Sequence, residues 1–290
     1  GASGQIGRCM MSTLSRLWPK AQLLTPSREQ LDLTNDSAVL GYLQQTQPDW
    51  LINCAAFTAV DAAEQDPQFA GVSVDTHPNV ETETVDTSVD THPNVETETV
   101  DIHPNVETET VDTHPNTQLN ARLPQLLALY WQSSSKPLTL LHFSSDYVYS
   151  GAGDMPWRED DDPAPINAYG RAKAAGDQAL LSALAARPHT VAAMASRLYI
   201  LRTSWVYHSH GQNFINTMLR LAAERDVLRV VDDQCGAPTP ASWAASISGL
   251  LLQSQAASGL YHLAPSGVTS WYGVAYAALS SAVSAGLIRQ

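Results

Sequence analysis

The sequence predicts an α/β fold, a doubly wound parallel sheet with a small C-terminal cap, and three observations carry that expectation. Short apolar runs of strand length alternate with stretches whose apolar residues recur at helical spacing. The chain opens on Gly1-Ala2-Ser3-Gly4-Gln5-Ile6-Gly7, a G-x-x-G-x-x-G run followed by the amphipathic stretch Met10 to Trp18. Glycines there allow a tight turn and close approach of backbone to a pyrophosphate at a helix N-terminus. Third, the alternation is interrupted only once, by an acidic tandem repeat, and then resumes.

In order, Ala21 to Pro26 reads as a strand, Asp36 to Gln47 as a helix, and Leu51 to Ala56 as a buried strand ending in small residues. Phe57 to Gln65 continues as loop and helix; Asp61 and Glu64 read better as a solvated face than as a metal pair. Thr117 to Gln132 is helical with Pro124 near its first turn. Leu138 to Phe143 is a strand running into Ser144-Ser145-Asp146-Tyr147, and 169–186 is a helix. Leu198 to Trp205 and Leu228 to Val231 read as strands, Asn213 to Glu224 and Trp243 to Gln253 as helices, Gly259 to Leu263 as a strand, and the remainder as a helical tail. No strand precedes Gly1, so the first, central strand is expected to be truncated, and a C-terminal segment is expected to be missing.

The repeat unit Val-Asp-Thr-His-Pro-Asn-Val-Glu-Thr-Glu-Thr, of period 11, begins at Val74, Val89, Val100 (with Ile102 for Thr) and Val111, with a four-residue partial copy, Val85 to Ser88, between the first two. Residues 74–116 hold eleven Asp or Glu and no Lys or Arg, so most of the net charge of −13 resides there. The globular remainder is nearly neutral, with no basic stripe for nucleic acid. The repeat histidines could serve a metal, but a solvated, duplication-born insertion is the stronger reading. No apolar run is long enough to span a membrane. Three cysteines without paired spacing read as reduced thiols of a cytoplasmic protein.

The chemistry is expected at Tyr169-Gly170-Arg171-Ala172-Lys173. Tyrosine and lysine four apart share a helix face. An ammonium beside the phenol would favour the phenolate and let the tyrosine exchange a proton near neutrality, which suits carbonyl reduction. The chain has ten tyrosines and three lysines, and chance alone would give such a pair roughly one time in ten. Ser145 stands at the C-terminal end of a strand, where open α/β sheets bind ligands. Arg28, just past the second predicted strand, favours NADPH through its 2′-phosphate; a solvated loop arginine is the competing reading.

Gly1, Gly4, Gly7, Ser145, Tyr169 and Lys173 together resemble the extended short-chain dehydrogenase/reductases, whose nucleotide-binding domain is Rossmann-like. Four phrases are similar to the dTDP-4-dehydrorhamnose reductase family: Ile52 to Asp61 (INCAAFTAVD), Ser144 to Tyr149 (SSDYVY), Arg202 to Tyr207 (RTSWVY) and Asp232 to Thr239 (DDQCGAPT). That resemblance implies hydride transfer from NADPH, or NADH, to C4 of dTDP-4-dehydro-6-deoxy-L-mannose, giving dTDP-L-rhamnose, a precursor of cell-surface polysaccharide such as lipopolysaccharide O-antigen. Some members add Mg2+. It implies that Ser145 holds the carbonyl, Tyr169 protonates the alkoxide, and Lys173 tunes the tyrosine and binds the nicotinamide ribose. Gly1, Gly4, Gln5, Ile6, Gly7, Arg28, Asp32, Leu33, Ala55 and Ala56 would meet the cofactor, with Tyr169 and Lys173. Val60, Tyr147, Trp205, Asn213 and Gln234 would line the sugar-nucleotide pocket, and Asn120 would support it.

The domains expected are a dinucleotide-binding unit over 1–205, interrupted by the repeat over 72–116, and a cap over 206–290 that crosses back to the sheet. The partner is a dTDP-sugar, with a homodimer expected and neither nucleic acid nor membrane. Two alternatives stay open: another sugar-nucleotide dehydrogenase or epimerase on the same fold, and a non-catalytic subunit resembling the regulatory subunit of methionine adenosyltransferase. The intact Ser145, Tyr169 and Lys173 set argues against the latter.

Overall fold

The computed structural model describes residues 1–70, 114–254 and 256–288. Its elements run α1 (Gln5–Leu17), α2 (Asp36–Thr46), β1 (Trp50–Asn53), α3 (Val60–Ala63), a π-helical turn (Thr117–Arg122), α4 (Leu123–Ser133) and β2 (Thr139–Ser145). There follow α5 (Ala168–Ala185), α6 (Val191–Ala195), β3 (Arg197–Thr203), β4 (Val206–Tyr207), α7 (Phe214–Glu224), β5 (Cys235–Gly236) and β6 (Thr239–Pro240). The chain closes on α8 (Ala241–Ser254), β7 (Gly259–His262), β8 (Thr269–Ser270) and α9 (Trp271–Ser284).

Four strands form a parallel sheet in the order β1-β2-β3-β7. Successive side chains of a strand point to opposite faces, and here both faces are apolar. Leu140, Leu198 and Ile200 pack under α2, α4 and α5 with Val39, Leu127, Trp131 and Leu180. Leu141, Phe143, Tyr199 and Leu201 pack on the other side against Met10 and Leu14 of α1 and Ala244, Ala245 and Leu252 of α8. Helices on both faces are the doubly wound arrangement the near-continuous apolar runs imply. Asparagine caps start three helices: Asn35 accepts from Ala38 N–H, Asn167 from Gly170 N–H and Asn213 from Asn216 N–H.

Two expected strands do not form. Ala21 to Pro26 belongs to no strand, since no strand among the described residues lies beside it to complete a ladder. Leu228 to Val231 is likewise outside any strand, its Val231 carbonyl accepting a single bond from Tyr272 N–H at 3.0 Å. In its place two short pairs, parallel β4–β6 and antiparallel β5–β8, hold the segments beyond β3.

The acidic repeat lies outside the described residues up to 113; His114, Pro115 and Asn116 are in view. Although the insertion was expected to run to 116, Asn116 is already fully buried. The reason is Asp66, also buried, whose carboxylate accepts from Asn116 Nδ2 at 3.0 Å, Thr117 N–H at 2.9 Å and Thr117 Oγ1 at 2.7 Å. These charge-assisted bonds join the chain before the repeat to the chain after it.

Candidate active site

The site lies at the C-terminal ends of the sheet strands. The α1 turn closes on itself: a Cβ on Gly7 would come within 2.1 Å of the Gly1 carbonyl oxygen, and one on Gly1 within 2.3 Å of the Cys54 backbone beyond β1. Only glycine fits either place. Gly4 caps α1 with extended backbone and no side-chain hydrogen bond, so no side chain competes for the helix's first N–H groups. Such a turn fits a pyrophosphate.

Ser145 ends β2, and Tyr169 and Lys173 face it from the first turns of α5. All three are buried. The start of α5 abuts the loop after β2 so closely that a Cβ on Gly170 would sit 2.1 Å from the Tyr147 carbonyl oxygen. Ser145 acts on the Tyr169 phenol, opposing the rise that burial imposes on it, and the phenol's ring meets Tyr147 edge-on with centroids 5.6 Å apart. Val60 packs against the same ring cluster with Phe57 and Phe69. Asn120, on the π-helical turn, donates to the Phe57 carbonyl at 2.8 Å and accepts Phe57 N–H at 3.2 Å, holding the loop after β1.

One expectation is overturned here. Lys173 Nζ does not reach the phenol; it donates to the Phe143 carbonyl at 2.8 Å and lies 3.3 Å from His142 Nε2. Burial raises the Tyr169 phenol well above its ordinary value, with only Ser145 opposing the rise and Asp146, Tyr147 and Asp177 adding to it. Burial also holds the Asp146 carboxyl up at about 6, against hydrogen bonds from Ser145 and Tyr147. Ser145 Oγ donates to Asp146 Oδ1 at 3.0 Å.

A second cluster flanks this one. Trp205, Asn213 and Gln5 border a cavity of about 190 Å³, together with Phe214, Pro238 and Trp271. Trp205 adopts a positive φ of 44° and stacks on Trp271 with ring centroids 3.7 Å apart. A Cβ on Gly236 would strike the Trp205 indole at 2.8 Å, so the β5 backbone lies hard against that ring. Asn213 Nδ2 lies 3.3 Å from Gln5 Oε1, which ties the pocket to the glycine turn. Gln234 is exposed and does not line this cavity. Arg28 and Asp32 are exposed in the segment before α2, Asp32 accepting from Thr34, while Leu33 packs on the core. Ala55 donates its N–H to Asn53 Oδ1 at 3.0 Å, and Ala56 is half-buried beside it. Among the described residues no group of three or more His, Cys, Asp or Glu could hold a metal; Glu64 instead accepts Ala168 N–H at 2.6 Å.

The RmlD substrate binding domain family matches residues 1–82 and 102–288 of this chain. The dTDP-4-dehydrorhamnose reductase of Escherichia coli K12 is 32% identical over 292 aligned positions, covering 99% of this chain and 78% of that protein. The chain belongs to the dTDP-4-dehydrorhamnose reductase family. Solved structures agree: the Bacillus anthracis reductase in complex with NADP superposes with a TM-score of 0.70 at 27% identity, over 97% of this chain and 79% of that one. The Clostridium acetobutylicum orthologue gives 0.72 at 26%, over 100% and 80%. The family match breaks inside the repeat, between residues 82 and 102. Phe214 was missed as a pocket residue because it reads as an inward position of a helix, and Trp271 because it lies in a stretch read only as a helical tail; the signal for Trp271 was Ser270 before it, a helix cap that fixes the ring at the first turn.

Proposed function

We propose that this chain reduces the C4 ketone of dTDP-4-dehydro-6-deoxy-L-mannose to dTDP-L-rhamnose, with Tyr169 as proton donor and Ser145 as the group that holds the carbonyl. The observation that carries the reading is the placement of buried Ser145, at the C-terminal end of β2, and buried Tyr169, in the first turn of α5, in a chain of this family. NADPH, when bound, supplies the hydride. Gly1, Gly4 and Gly7 would hold its pyrophosphate, and Ala55 and Ala56 would let it pass close to the backbone.

A phenol kept protonated by burial has its proton available, and the alkoxide left at C4 after hydride arrival is a far stronger base than any phenolate. Ser145 turns its hydroxyl from Asp146 to the substrate oxygen and so directs that oxygen at Tyr169. Burial of both groups excludes water from the transfer. The stacked Trp205 and Trp271 offer flat apolar surface with indole N–H donors for a deoxysugar nucleotide. Tyr147 and Val60 shape the wall beside Tyr169. A homodimer and a cytoplasmic setting fit this biosynthetic reaction; no helix among the described residues is long and apolar enough to cross a membrane.

The test is NADPH consumption with the dTDP-4-keto sugar, followed by the near-ultraviolet absorbance of the reduced nicotinamide. Tyr169→Phe should abolish turnover and leave NADPH binding largely intact. Retained turnover in that variant refutes the proton-donor role, and no turnover in the unmodified protein refutes the reductase reading.

A further inference from the structure

His142 interrupts the apolar stretch Leu140 to Phe143 of β2, is fully buried, and is not used by the reduction step. Its ring joins two other groups. Nδ1 lies 2.9 Å from Asn53 Nδ2 on β1, and Nε2 lies 3.3 Å from Lys173 Nζ on α5. Asn53 sets the direction of this chain, because its Oδ1 accepts the Ala55 N–H at 3.0 Å. The amide therefore turns its NH2 toward the ring, which makes Nδ1 the lone-pair nitrogen and leaves the proton of the neutral imidazole on Nε2. Burial and the neighbouring Lys173 both disfavour the imidazolium. What the ring presents to Lys173 is thus an N–H. An ammonium has three donors and no lone pair, whereas an amine can accept.

We propose that Asn53 and His142 are a positioning pair for Lys173: they fix where its Nζ points and present it an N–H, which favours the amine form. The other groups that face Nζ are accounted for. The Phe143 carbonyl accepts from either form. Asp177, one turn further along α5, favours the ammonium, but its carboxylate is shared with Arg202 of β3, whose Nε lies 3.0 Å away. Tyr169, one turn earlier on α5, is a neutral phenol. Burial works in the same sense as the pair, and Lys173 is brought down to about 8 against the pull of Asp177. For catalysis the consequence rests on the reductase reading: a lysine poised near neutrality can take up or release a proton beside the cofactor ribose and the tyrosine as turnover proceeds.

The test does not depend on turnover. Lys20, Lys136 and Lys173 are the only lysines of the sequence, so labelling lysine with carbon-13 at Cε gives three resonances to titrate by NMR. In the unmodified protein Lys173 should titrate more than about one pH unit below the ordinary lysine value of about 10.4. Asn53→Asp makes the residue an acceptor on both oxygens, moves the ring proton to Nδ1 and turns a lone pair toward Nζ. His142→Gln offers an amide oxygen to Nζ without adding charge. Each should raise the Lys173 midpoint by about one pH unit, a tenfold gain in proton affinity, and shift the alkaline limb of the kcat/KM profile upward with it. An ordinary midpoint in the unmodified protein overturns the proposal. So does an unmoved midpoint in a variant that stays folded, even where kcat falls, since that is what a purely structural role produces. If one variant unfolds, the other and the unmodified protein still decide it. Failure of the titration leaves the reductase reading intact, and absence of turnover leaves the titration intact.

Discussion

Replacing Asp177 by Asn should destabilise the protein more than replacing Asp177 and Arg202 together. The two side chains are 1% and 3% exposed, with Arg202 Nε 3.0 Å from Asp177 Oδ2. Arg202 also donates from Nη1 to the Tyr149 hydroxyl at 2.6 Å, with its guanidinium carbon 4.9 Å from that ring's centroid. Burial pushes the Asp177 carboxyl up, and Arg202 and Lys173 pull it back. Asp177→Asn keeps the shape but leaves the buried Arg202 guanidinium without a counter-charge, a loss of about 3–5 kcal/mol. At about 2–4 °C per kcal/mol for a chain of this size, the melting midpoint should fall on the order of 10 °C. Arg202→Met in the same chain removes the stranded charge while its stem still fills the space, and a buried pair exchanged for apolar groups is often neutral or better. Thermal and urea unfolding of the four proteins in the cycle would read this. The double variant should recover at least half the loss of Asp177→Asn. Single losses that simply add in the double variant, or a cost for Asp177→Asn below about 1 kcal/mol, refute the reasoning.

Asp146, held up at about 6, should give the fold a pH dependence of known sign. The folded state binds this proton more tightly than the unfolded chain, so the contribution to stability is present below the ordinary aspartate value of about 3.9 and is lost as pH rises through about 6. Two pH units correspond to roughly 3 kcal/mol, so Asp146→Asn should unfold at higher urea than the unmodified protein near pH 8 and show no such gain near pH 4. Gly7→Ala, with its Cβ at 2.1 Å from the Gly1 carbonyl, should open the turn and weaken NADPH binding at least about tenfold by isothermal titration, at a stability cost of about 1–3 kcal/mol. Trp271→Ala removes the ring stacked at 3.7 Å on Trp205; a stack worth about 0.5–1.5 kcal/mol predicts a KM for the nucleotide sugar raised about 2- to 10-fold with kcat less affected, and Trp271→Phe should restore most of it. Asp66→Ala strands the donors of buried Asn116 and Thr117 and should cost about 3 kcal/mol or more in urea unfolding.

The four sheet strands were legible because each is a short apolar run, with β2 and β3 almost wholly buried, and the helices because their apolar residues recur at helical spacing. Ala21 to Pro26 carries the same signal and forms no strand. An apolar run reports that a segment could pair, and pairing needs a neighbour that composition does not reveal. Gly1, Gly7, Ser145 and Tyr169 could be picked out as candidates because each proposed role demands a particular residue type. The partner of Lys173 was not. A lysine four residues after a tyrosine shares its helix face, but which group Nζ bonds is decided by what the sheet offers beneath it, and here that is His142 and a carbonyl.

What lies beneath is organised by strand register, which no single-strand pattern contains. Each strand of the sheet carries a large polar residue: Asn53 in β1, His142 in β2, Arg202 in β3 and His262 in β7. Pairing sets Asn53 opposite His142, and Arg202 opposite His262. Helix α5 joins the two pairs, Lys173 lying against His142 and Asp177 against Arg202, and Tyr149 links Arg202 to His262 with its hydroxyl 2.7 Å from Nε2. A polar row thus crosses the sheet beneath Ser145 and Tyr169. Each member is costly to bury alone, and each is made tolerable by the next. That interdependence has a consequence for the charge of Lys173, which is pulled toward the amine by His142 at one side and toward the ammonium by Asp177 at the other. Asp177→Asn and His142→Gln should therefore move its titration in opposite directions, down and up, and the double variant should fall between them.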